Sequence, residues 1–596
     1  MCGIAAIFAY SDRAPSVERA ELLAIRDRMI TRGPDGSGEW IDAEHRLGLA
    51  HRRLSIIDLS ENGLQPMWNA ARTVGITFNG EIYNYRTLRE RLEKSGYRFS
   101  SQSDTEVLLH LYSEYGAEMV RDLRGMFAFV IWDVAKKRLF AARDPFGIKP
   151  LYYSDDGATL RLASQVKALL ASGKIDTAPS PAGQAGYFLW GHMPDPYTCF
   201  RGIKGVPAGA SLTVTQGVSP EIRRFFNLTS TLETAEQARS QPEERQDILR
   251  AALADTVRHH LIADVPVGVF LSSGLDSTTL VGLAAEQQQR LRTVTMGFAE
   301  YKGTAKDETI LAERVAELYG TDHRTIWISQ ADFEQEHDRL MAAMDQPSTD
   351  GVNSYFVSLA ATRAGLKVAL SGLGGDELFG GYPSFTEIPK AANILGRVPI
   401  SPAQGRFIRR LSAPIVKQFT SPKYAGLLEY GSGYGGLYLL RRGMFMPWEL
   451  PSILEPEMAR AGWEELQPIA RLDETLGSLS NSRLKVSALE LSWYMRNQLL
   501  RDADWASMAH SLELRVPLVD TELLQRLVPL MAGPEPVQKK EMALCPVPGL
   551  PPEILHRPKT GFSIPVREWL MAKEGTQLRG LRGWAGQVFQ NYFATK

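Results

Sequence analysis

Residues 265–279 read VPVGVFLSSGLDSTT, a short apolar run followed by a glycine- and serine-rich turn and then by residues that favour a helix. The order predicts a buried strand, a tight turn and a helix. In that arrangement the backbone N–H groups and small hydroxyls at the start of the helix bind phosphate. The turn has no GxxxxGK[ST] spacing, so it is not a Walker A loop. A turn that merely starts a helix is the alternative interpretation.

The segments around this turn repeat the same order of helix and strand. Helix patterns at 244–261, 308–319 and 355–364 alternate with apolar runs at 265–271, 291–298, 324–329 and 366–370. Strands that alternate with amphipathic helices predict parallel βαβ units and a doubly wound α/β sheet. Beyond Tyr382 the pattern is mostly helical, and residues 385–480 carry no informative motif.

The first two hundred residues have a different pattern. Short β-like runs at 73–79 and 126–132 are separated by turns, with helix patterns at 16–30 and 105–115. This mixture predicts strands packed on strands with helices outside. The polar stretch 227–244 is interpreted as a linker. We therefore expect two domains, at 1–210 and 240–596.

Composition excludes several classes of protein. Lys+Arg 67 against Asp+Glu 68 gives a formal net charge of -1 over 596 residues, so no general positive field favours nucleic acid. The three cysteines, Cys2, Cys199 and Cys545, are too scattered for a disulfide framework and fit a reducing cytoplasm. The chain shows neither a convincing signal peptide nor an apolar run of about 18 residues, so no membrane association is expected.

Cys2 follows Met1 directly and precedes Gly3, a context that permits removal of the methionine. An N-terminal cysteine combines a thiol nucleophile with an α-amino group of pKa roughly 7.7 to 8.0, which can act as the general base. Five motifs accompany it: TRGPD at 31–35, HRRLSII at 51–57, FNGEIY at 78–83, SDTE at 103–106 and RDPFGIKPLYY at 143–153.

With these motifs, residues 1–205 resemble the class II, N-terminal-nucleophile glutamine amidotransferases. The resemblance implies an αββα Ntn-hydrolase sandwich in which Cys2 attacks the glutamine amide, while Asn79 and Gly80 line the oxyanion hole. It also implies that Arg53 binds the glutamine α-carboxylate, and that Glu81 and Asp104 face its α-ammonium. The alternatives are structural: a hairpin turn at Asn79-Gly80, a surface ion pair of Arg53, a helix N-cap at Asp104 and a structural pair of Arg143 with Asp144.

The second half resembles the ATP pyrophosphatases, because FLSSGLDSTT at 270–279 is similar to their SGGxDS loop with Ser273 in place of a glycine. SGLGGDELFGGY at 371–382 is similar to the asparagine synthetase signature. The resemblance implies cleavage of ATP to AMP and pyrophosphate. The implied ATP-binding residues are Leu271, Ser272, Ser273, Gly274, Asp276, Ser277, Met296, Ser371 and Gly372. Asp276 and Asp376 would hold Mg²⁺ as hard oxygen ligands, although Asp376 and Glu377 also suit a helix N-terminus.

Two further segments, DWASMAHSLELRVPLVD at 504–520 and RPKTGFSIPVREWL at 557–570, continue this resemblance. Within the second, Lys559 is the expected catalytic cation for the pyrophosphate and the acyl-transfer transition state, although a lone lysine is usually solvated. One residue departs from the pattern: Leu373 stands where many members of the family carry a glutamate that handles the acceptor.

Together these resemblances imply a glutamine-dependent asparagine synthetase, in which an internal tunnel passes ammonia from the first domain to the second and the acceptor is aspartate. Because of Leu373, another carboxylate such as a sugar acid or a secondary-metabolite acid stays open as the acceptor. A homodimer is expected from the resemblance alone. An amidotransferase of sugar phosphates, or an inactive scaffold protein, would not require the two phosphate-binding motifs.

Overall fold

The computed structural model describes residues 2–237, 244–304, 306–419, 421–557, 569 and 581–594, without the side chains of 417–419 and 594. Twelve strands form its N-terminal part: β1 (Gly3–Ala9), β2 (Gly36–Ile41), β3 (Leu47–Arg53), β4 (Met67–Trp68), β5 (Val74–Ile82), β6 (Gly125–Asp133), β7 (Arg138–Arg143), β8 (Tyr152–Asp155), β9 (Thr159–Ala163), β10 (Lys204–Gly205), β11 (Ala210–Thr215) and β12 (Glu221–Arg224). They make two antiparallel sheets, with the orders β10-β8-β9-β1-β3-β2 and β12-β11-β7-β6-β5-β4. Apolar side chains from both sheets, including Phe8, Leu49 and Val130, form one core between them.

Helices cover the outer faces of this pair of sheets. They are α1 (Arg19–Asp27), α2 (Tyr85–Lys94), α3 (Asp104–Tyr115) and α4 (Val166–Leu170). α1 and α4 pack on the first sheet, whereas α3 packs on the second sheet and against α2. The layers therefore run helix, sheet, sheet, helix, which confirms the predicted αββα sandwich.

The polar stretch predicted as a linker is partly a helix. After α5 (Pro181–Trp190), the chain forms α6 (Leu228–Glu236), which buries Leu228 and Leu232. Glu233 and Glu236 on its polar side accept the backbone N–H groups of residues 478 and 481. Part of the predicted linker is therefore helical, and two buried leucines together with these two hydrogen bonds attach the helix to the C-terminal part.

The C-terminal part contains a parallel sheet of five strands: β13 (Val267–Phe270), β14 (Arg292–Phe298), β15 (Asp322–Ile328), β16 (Val368–Leu370) and β17 (Glu513–Arg515). Its order is β15-β14-β13-β16-β17, so the chain winds outward from β13 in both directions, and the predicted doubly wound sheet is confirmed. The helices around it are α7 (Arg245–His260), α8 (Leu275–Ala285), α9 (Thr309–Leu318), α10 (Gln330–Ala343) and α11 (Val352–Arg363). Because β13 and β16 are neighbours, the turns after them meet at one edge.

The rest of the described chain is mostly helical, as predicted for the part beyond Tyr382. It contains α12 (Gly375–Phe379), α13 (Ser384–Leu395), α14 (Pro402–Phe419), α15 (Leu427–Tyr430), α16 (Tyr434–Arg442), α17 (Pro456–Leu466), α18 (Pro468–Glu474), α19 (Ser482–Leu489), α20 (Arg501–Met508), α21 (Thr521–Ala532), α22 (Lys539–Ala543), α23 (Pro552–Leu555) and α24 (Leu581–Ala594). A π-helical segment, Glu490–Leu500, joins α19 to α20.

Candidate functional site: two centres joined by one helix

Cys2 lies just before β1, at the edge of the αββα sandwich. Its backbone N–H donates to Oδ1 of Asn79 at 2.9 Å, and its Sγ lies 4.0 Å from the carbonyl oxygen of Leu54. Burial raises the pKa of the Cys2 thiol. A thiol with a raised pKa needs a base beside it to become a nucleophile, and the nitrogen of the same residue is held in place by Asn79.

Asn79 and Gly80 lie inside strand β5, paired with β6, so the alternative that they form a hairpin turn is wrong. Asn79 is fully buried, and its Nδ2 has no hydrogen-bond partner among the described residues. At Gly80 a Cβ would lie 2.1 Å from the carbonyl oxygen of Met126, so no larger residue fits the strand there. A buried amide donor without a partner calls for an explanation, and a ligand oxygen beside Cys2 supplies one.

Arg53 is buried, and the alternative of a surface ion pair is wrong. Its guanidinium donates to the carbonyl oxygens of Asp58 and, at 2.7 Å, Ser60. These contacts fold the segment after β3 around the arginine. Arg53 ends strand β3, immediately before Leu54, whose carbonyl oxygen lies near Sγ of Cys2, and its role toward a glutamine carboxylate stays a prediction.

Glu81 and Asp104 are buried carboxylates at the end of β5. Asp104 accepts the backbone N–H of Ile82 at 3.0 Å, while the N-cap of α3 is Ser103 rather than Asp104, which corrects the alternative interpretation. Burial raises the pKa of Asp104 to about 6 and raises that of Glu81 well above its ordinary value, with the charge of Glu513 adding to the shift of Glu81. A nearby ammonium group would stabilise the charged form of both carboxylates.

The C-terminal part supplies charged groups to this first centre, a role that the sequence motifs containing them did not indicate. Arg32, fully buried, donates from Nε to the Cys2 carbonyl oxygen at 3.0 Å and forms a two-pronged ion pair with Asp504 at 2.7 and 3.0 Å. Arg515 of β17 lies 3.3 Å from Glu81 and 2.7 Å from Glu513. Two side chains from the distant half of the chain therefore complete the surroundings of Cys2.

The second centre is a cavity of about 350 Å³ at the shared edge of β13 and β16. The residues expected to bind ATP that line it are Leu271, Ser272, Gly274, Asp276, Ser277, Met296, Ser371 and Gly372. The remaining one, Ser273, is buried and does not line the cavity, and its hydroxyl has no hydrogen-bond partner among the described residues. Helix α8 begins at Leu275, so Asp276 and Ser277 lie in its first turn.

Asp276 and Asp376, the predicted metal ligands, face each other across this cavity. Nζ of Lys539 lies 2.5 Å from a carboxylate oxygen of Asp276 and 2.6 Å from one of Asp376. Although burial lowers it, the two carboxylates raise the pKa of Lys539 above its ordinary value. The pair is therefore arranged around a single cation, and two carboxylates combined with phosphate oxygens suit Mg²⁺.

Asp376 and Glu377 also form the first turn of α12, so the helix-terminus interpretation is correct as well. Leu373 lines the cavity together with Asp350 and Glu377. Glu377 accepts from the Tyr382 hydroxyl at 2.9 Å, and burial raises its pKa to about 8. The cavity therefore retains buried carboxylates beside the apolar Leu373.

Lys559 lies outside the described residues. The alternative of an Arg143–Asp144 pair is wrong in detail: Arg143 pairs with Asp195 at 3.1 Å, whereas Asp144 accepts backbone N–H groups, including that of Lys149 at 2.8 Å.

One helix joins the two centres. On α20, Asp504 contacts Arg32 and through it Cys2, whereas Asp502, two positions earlier, lines the cavity of the second centre. An αββα sandwich with a cysteine at its edge, joined in this way to a parallel sheet with a cavity beside the ends of β13 and β16, defines a glutamine-hydrolysing amidotransferase with an ATP-dependent ligase.

Comparison with known proteins identifies the family. A model of the glutamine amidotransferase domain matches residues 1–226, and a model of asparagine synthase matches residues 248–588. The chain is 33% identical to glutamine-hydrolyzing asparagine synthetase 1 of Bacillus subtilis (strain 168), over 98% of this chain and 90% of that protein. It is 30% identical to asparagine synthetase 3 of the same organism, over 94% and 87%. Amidase chry2 of Gibberella zeae is 32% identical, over 65% of this chain and 60% of that protein.

The chain belongs to the glutamine-hydrolysing asparagine synthetase family. It is an ATP-dependent carbon–nitrogen ligase that takes its nitrogen from glutamine. In the described part of the chain, no helix combines the length and apolarity needed to cross a bilayer.

Proposed function

We propose that this enzyme makes asparagine from aspartate, ATP, glutamine and water, releasing AMP, pyrophosphate and glutamate. The observation that carries the glutaminase half is Asn79, whose Oδ1 holds the nitrogen of Cys2 while its Nδ2 lacks a partner among the described residues. The thiol of Cys2 attacks the side-chain carbonyl of glutamine, and Nδ2 donates to the oxyanion. After removal of Met1, the α-amino group of Cys2 takes the thiol proton and passes it to the departing ammonia. Water then releases glutamate from the thioester.

Glutamine would bind with its charged ends in the walls of this centre. Its α-ammonium would pair with Glu81 and Asp104, whose raised pKa values reflect buried carboxylates that a cation would favour in the charged form. Its α-carboxylate would draw Arg53 away from the carbonyl oxygens that it now contacts. Binding would therefore reorder the segment after β3.

In the second centre, the turn after β13 and the start of α8 would bind ATP, with adenosine contacts from Leu271, Met296 and Gly372. Asp276 and Asp376 would hold Mg²⁺ against the phosphates, and the ion would neutralise charge on the departing pyrophosphate. Lys539 would then turn from the carboxylates toward the phosphates, and Lys559 remains the proposed catalytic cation. The acceptor carboxylate attacks the α-phosphorus as pyrophosphate leaves, and ammonia displaces AMP from the acyl carbon.

Aspartate suits this cavity because Asp350 and Glu377 line it beside Leu373. The acceptor α-ammonium would pair with these carboxylates, which would take over the task that the family resemblance assigns to a glutamate in place of Leu373. The apolar surface of Leu373 favours a second candidate, a carboxylate with a less polar body. Ammonia would pass along α20, from Asp504 beside the first centre toward Asp502 at the second.

Product identification tests the proposal directly. Enzyme, ATP, Mg²⁺ and amide-¹⁵N glutamine are incubated with aspartate or with a panel of other carboxylates, and mass spectrometry follows ¹⁵N and AMP. We expect ¹⁵N-asparagine and equal AMP with aspartate, and neither from a Cys2→Ala protein supplied only with glutamine. No aspartate-dependent AMP, together with ¹⁵N-amide formed on another acid, would replace aspartate as the acceptor.

We further propose that the enzyme works in the reducing cytoplasm, as a homodimer. In support of the compartment, Cys2, Cys199 and Cys545, all described, form no disulfide. Size-exclusion chromatography with light scattering tests the dimer.

A further inference from the structure

The side of helix α14 that faces the molecule is not its most apolar side. Gly405 faces the molecule so closely that a Cβ there would lie 2.2 Å from the carbonyl oxygen of Leu428. Arg409, on the same side, is buried and donates to Glu429 at 2.5 Å. An ordinary surface helix buries its large apolar side chains, whereas α14 leaves its largest ones exposed.

The outward side of α14 is apolar. Phe407, Leu411 and Ile415 follow one another at intervals of four residues, and their exposed fractions are 64, 65 and 62%. Side chains at this spacing lie on one side of a helix. Ile394 and Val398, just before the helix, are exposed as well. Large apolar side chains that stay in water along one line indicate a surface for binding.

The charged side chains in and around α14, over residues 388–428, are all positive. Residues 388–428 contain Lys390, Arg397, Arg406, Arg409, Arg410, Lys417 and Lys423 but no aspartate or glutamate. Arg410 is exposed on the flank of the apolar row, and Arg397 is exposed just before the helix. The surface therefore combines an apolar centre with positive borders, which is typical of helices that lie on an anionic membrane surface.

We propose that the outward face of α14 docks the enzyme on an anionic lipid surface. Phe407, Leu411 and Ile415 would enter the boundary between head groups and acyl chains, and the flanking arginines would contact lipid phosphates. A second copy of the chain is a poorer occupant, because a two-fold contact through this face would bring its positive borders together. The apolar row of Phe407, Leu411 and Ile415 needs no shaped pocket, and a fluid lipid surface offers none.

Sedimentation with vesicles tests this inference. The full-length enzyme is mixed with vesicles of phosphatidylglycerol and phosphatidylcholine, or of phosphatidylcholine alone. We expect binding only to the anionic vesicles, weakened by salt. The double variant Phe407→Ser/Leu411→Ser should bind at least about tenfold less, and Arg397→Glu/Arg410→Glu should lose at least about tenfold as well. Both should keep the glutamine-dependent AMP release of the unchanged enzyme.

A matched control removes apolar surface elsewhere. Val218→Ser/Ile310→Ser replaces two exposed aliphatic side chains outside this segment and should leave vesicle binding unchanged. Three results would each overturn the inference: no binding of the unchanged enzyme to anionic vesicles, equal binding of the α14 variants, or equal loss in the control. Light scattering supplies a fourth such result. If the unchanged enzyme is a dimer and Phe407→Ser/Leu411→Ser is a monomer, a second copy of the chain covers this face.

Discussion

Replacing Asp504 by asparagine tests whether the ligase half positions the nucleophile of the glutaminase half. Asp504→Asn preserves the size of the side chain but leaves the fully buried Arg32 without its counter-charge. Breaking a buried ion pair from one side costs about 3 to 5 kcal/mol. Because asparagine keeps one acceptor oxygen, we expect the lower end, about 3 kcal/mol, which corresponds to about a hundredfold change in an equilibrium.

Part of this cost appears at Cys2, because Nε of Arg32 donates to the Cys2 carbonyl oxygen. A guanidinium that turns away to find another partner releases the residue that carries the thiol. We therefore expect kcat/KM for glutamine hydrolysis to fall between about tenfold and a hundredfold. The assay measures glutamate released without ATP. In parallel, AMP release with ammonium chloride in place of glutamine reports on the ligase half, and it should change by less than about threefold.

The matched control is Glu118→Gln, which breaks the exposed ion pair with Arg121 and should alter neither reaction. Circular dichroism at the assay temperature verifies that every variant is folded. A folded Asp504→Asn enzyme that hydrolyses glutamine at the unchanged rate would refute the reasoning. So would a loss of the same size in the ammonia reaction, since the contact would then not act on Cys2.

Three other changes have definite expected outcomes. Asn79→Ala removes the amide donor beside Cys2 and should lower kcat of glutamine hydrolysis by about 10²- to 10³-fold, measured as glutamate release, while ammonia-dependent AMP release continues. Lys539→Met leaves Asp276 and Asp376 without their ammonium partner and should reduce AMP release at least about tenfold, while glutaminase activity is retained. Unchanged AMP release would show that Lys539 takes no part in the reaction at the second centre. His260 is buried against the Tyr83 ring, and burial lowers its pKa to about 3, so the unfolded chain, with a pKa of about 6.5, takes up the proton first as pH falls. Stability from this group is thus lost below about pH 6.5, and between pH 7 and pH 5 the melting temperature of the unchanged protein should fall more than that of His260→Phe.

The parts of the fold that local pattern determines were predictable. The turn at 270–279 follows an apolar strand and precedes a helix, so sequence order predicted the strand, the turn and the helix that hold Asp276. The alternation of strands and helices likewise predicted the doubly wound sheet, whereas the αββα sandwich was implied by the family resemblance. Helix α6 was missed because only Leu228 and Leu232 show its buried side among polar residues.

Strand β17 and the contacts between the two halves were beyond prediction for a physical reason. Glu513–Arg515 carries two charges in three residues and resembles a surface turn, yet the strand is buried because Glu513 and Arg515 neutralise each other. The pairing of Arg32 with Asp504 depends on residues that only the complete fold brings together. Lys539 stands beside Lys540 in a polar segment, so neither its type nor its neighbours distinguished it from a solvated lysine.

The position of β17 and Asp504 late in the chain has a consequence during translation. A ribosome releases the whole αββα sandwich before it has made the residues that neutralise Arg32 and reach Glu81, since domains fold in the order of their synthesis. In a nascent glutaminase half, Arg32 and Glu81 therefore lack these partners until residues 504–515 have been made. We expect unfinished molecules to hydrolyse glutamine more slowly than the complete enzyme, so that little glutamine is broken down before the part that consumes ammonia exists.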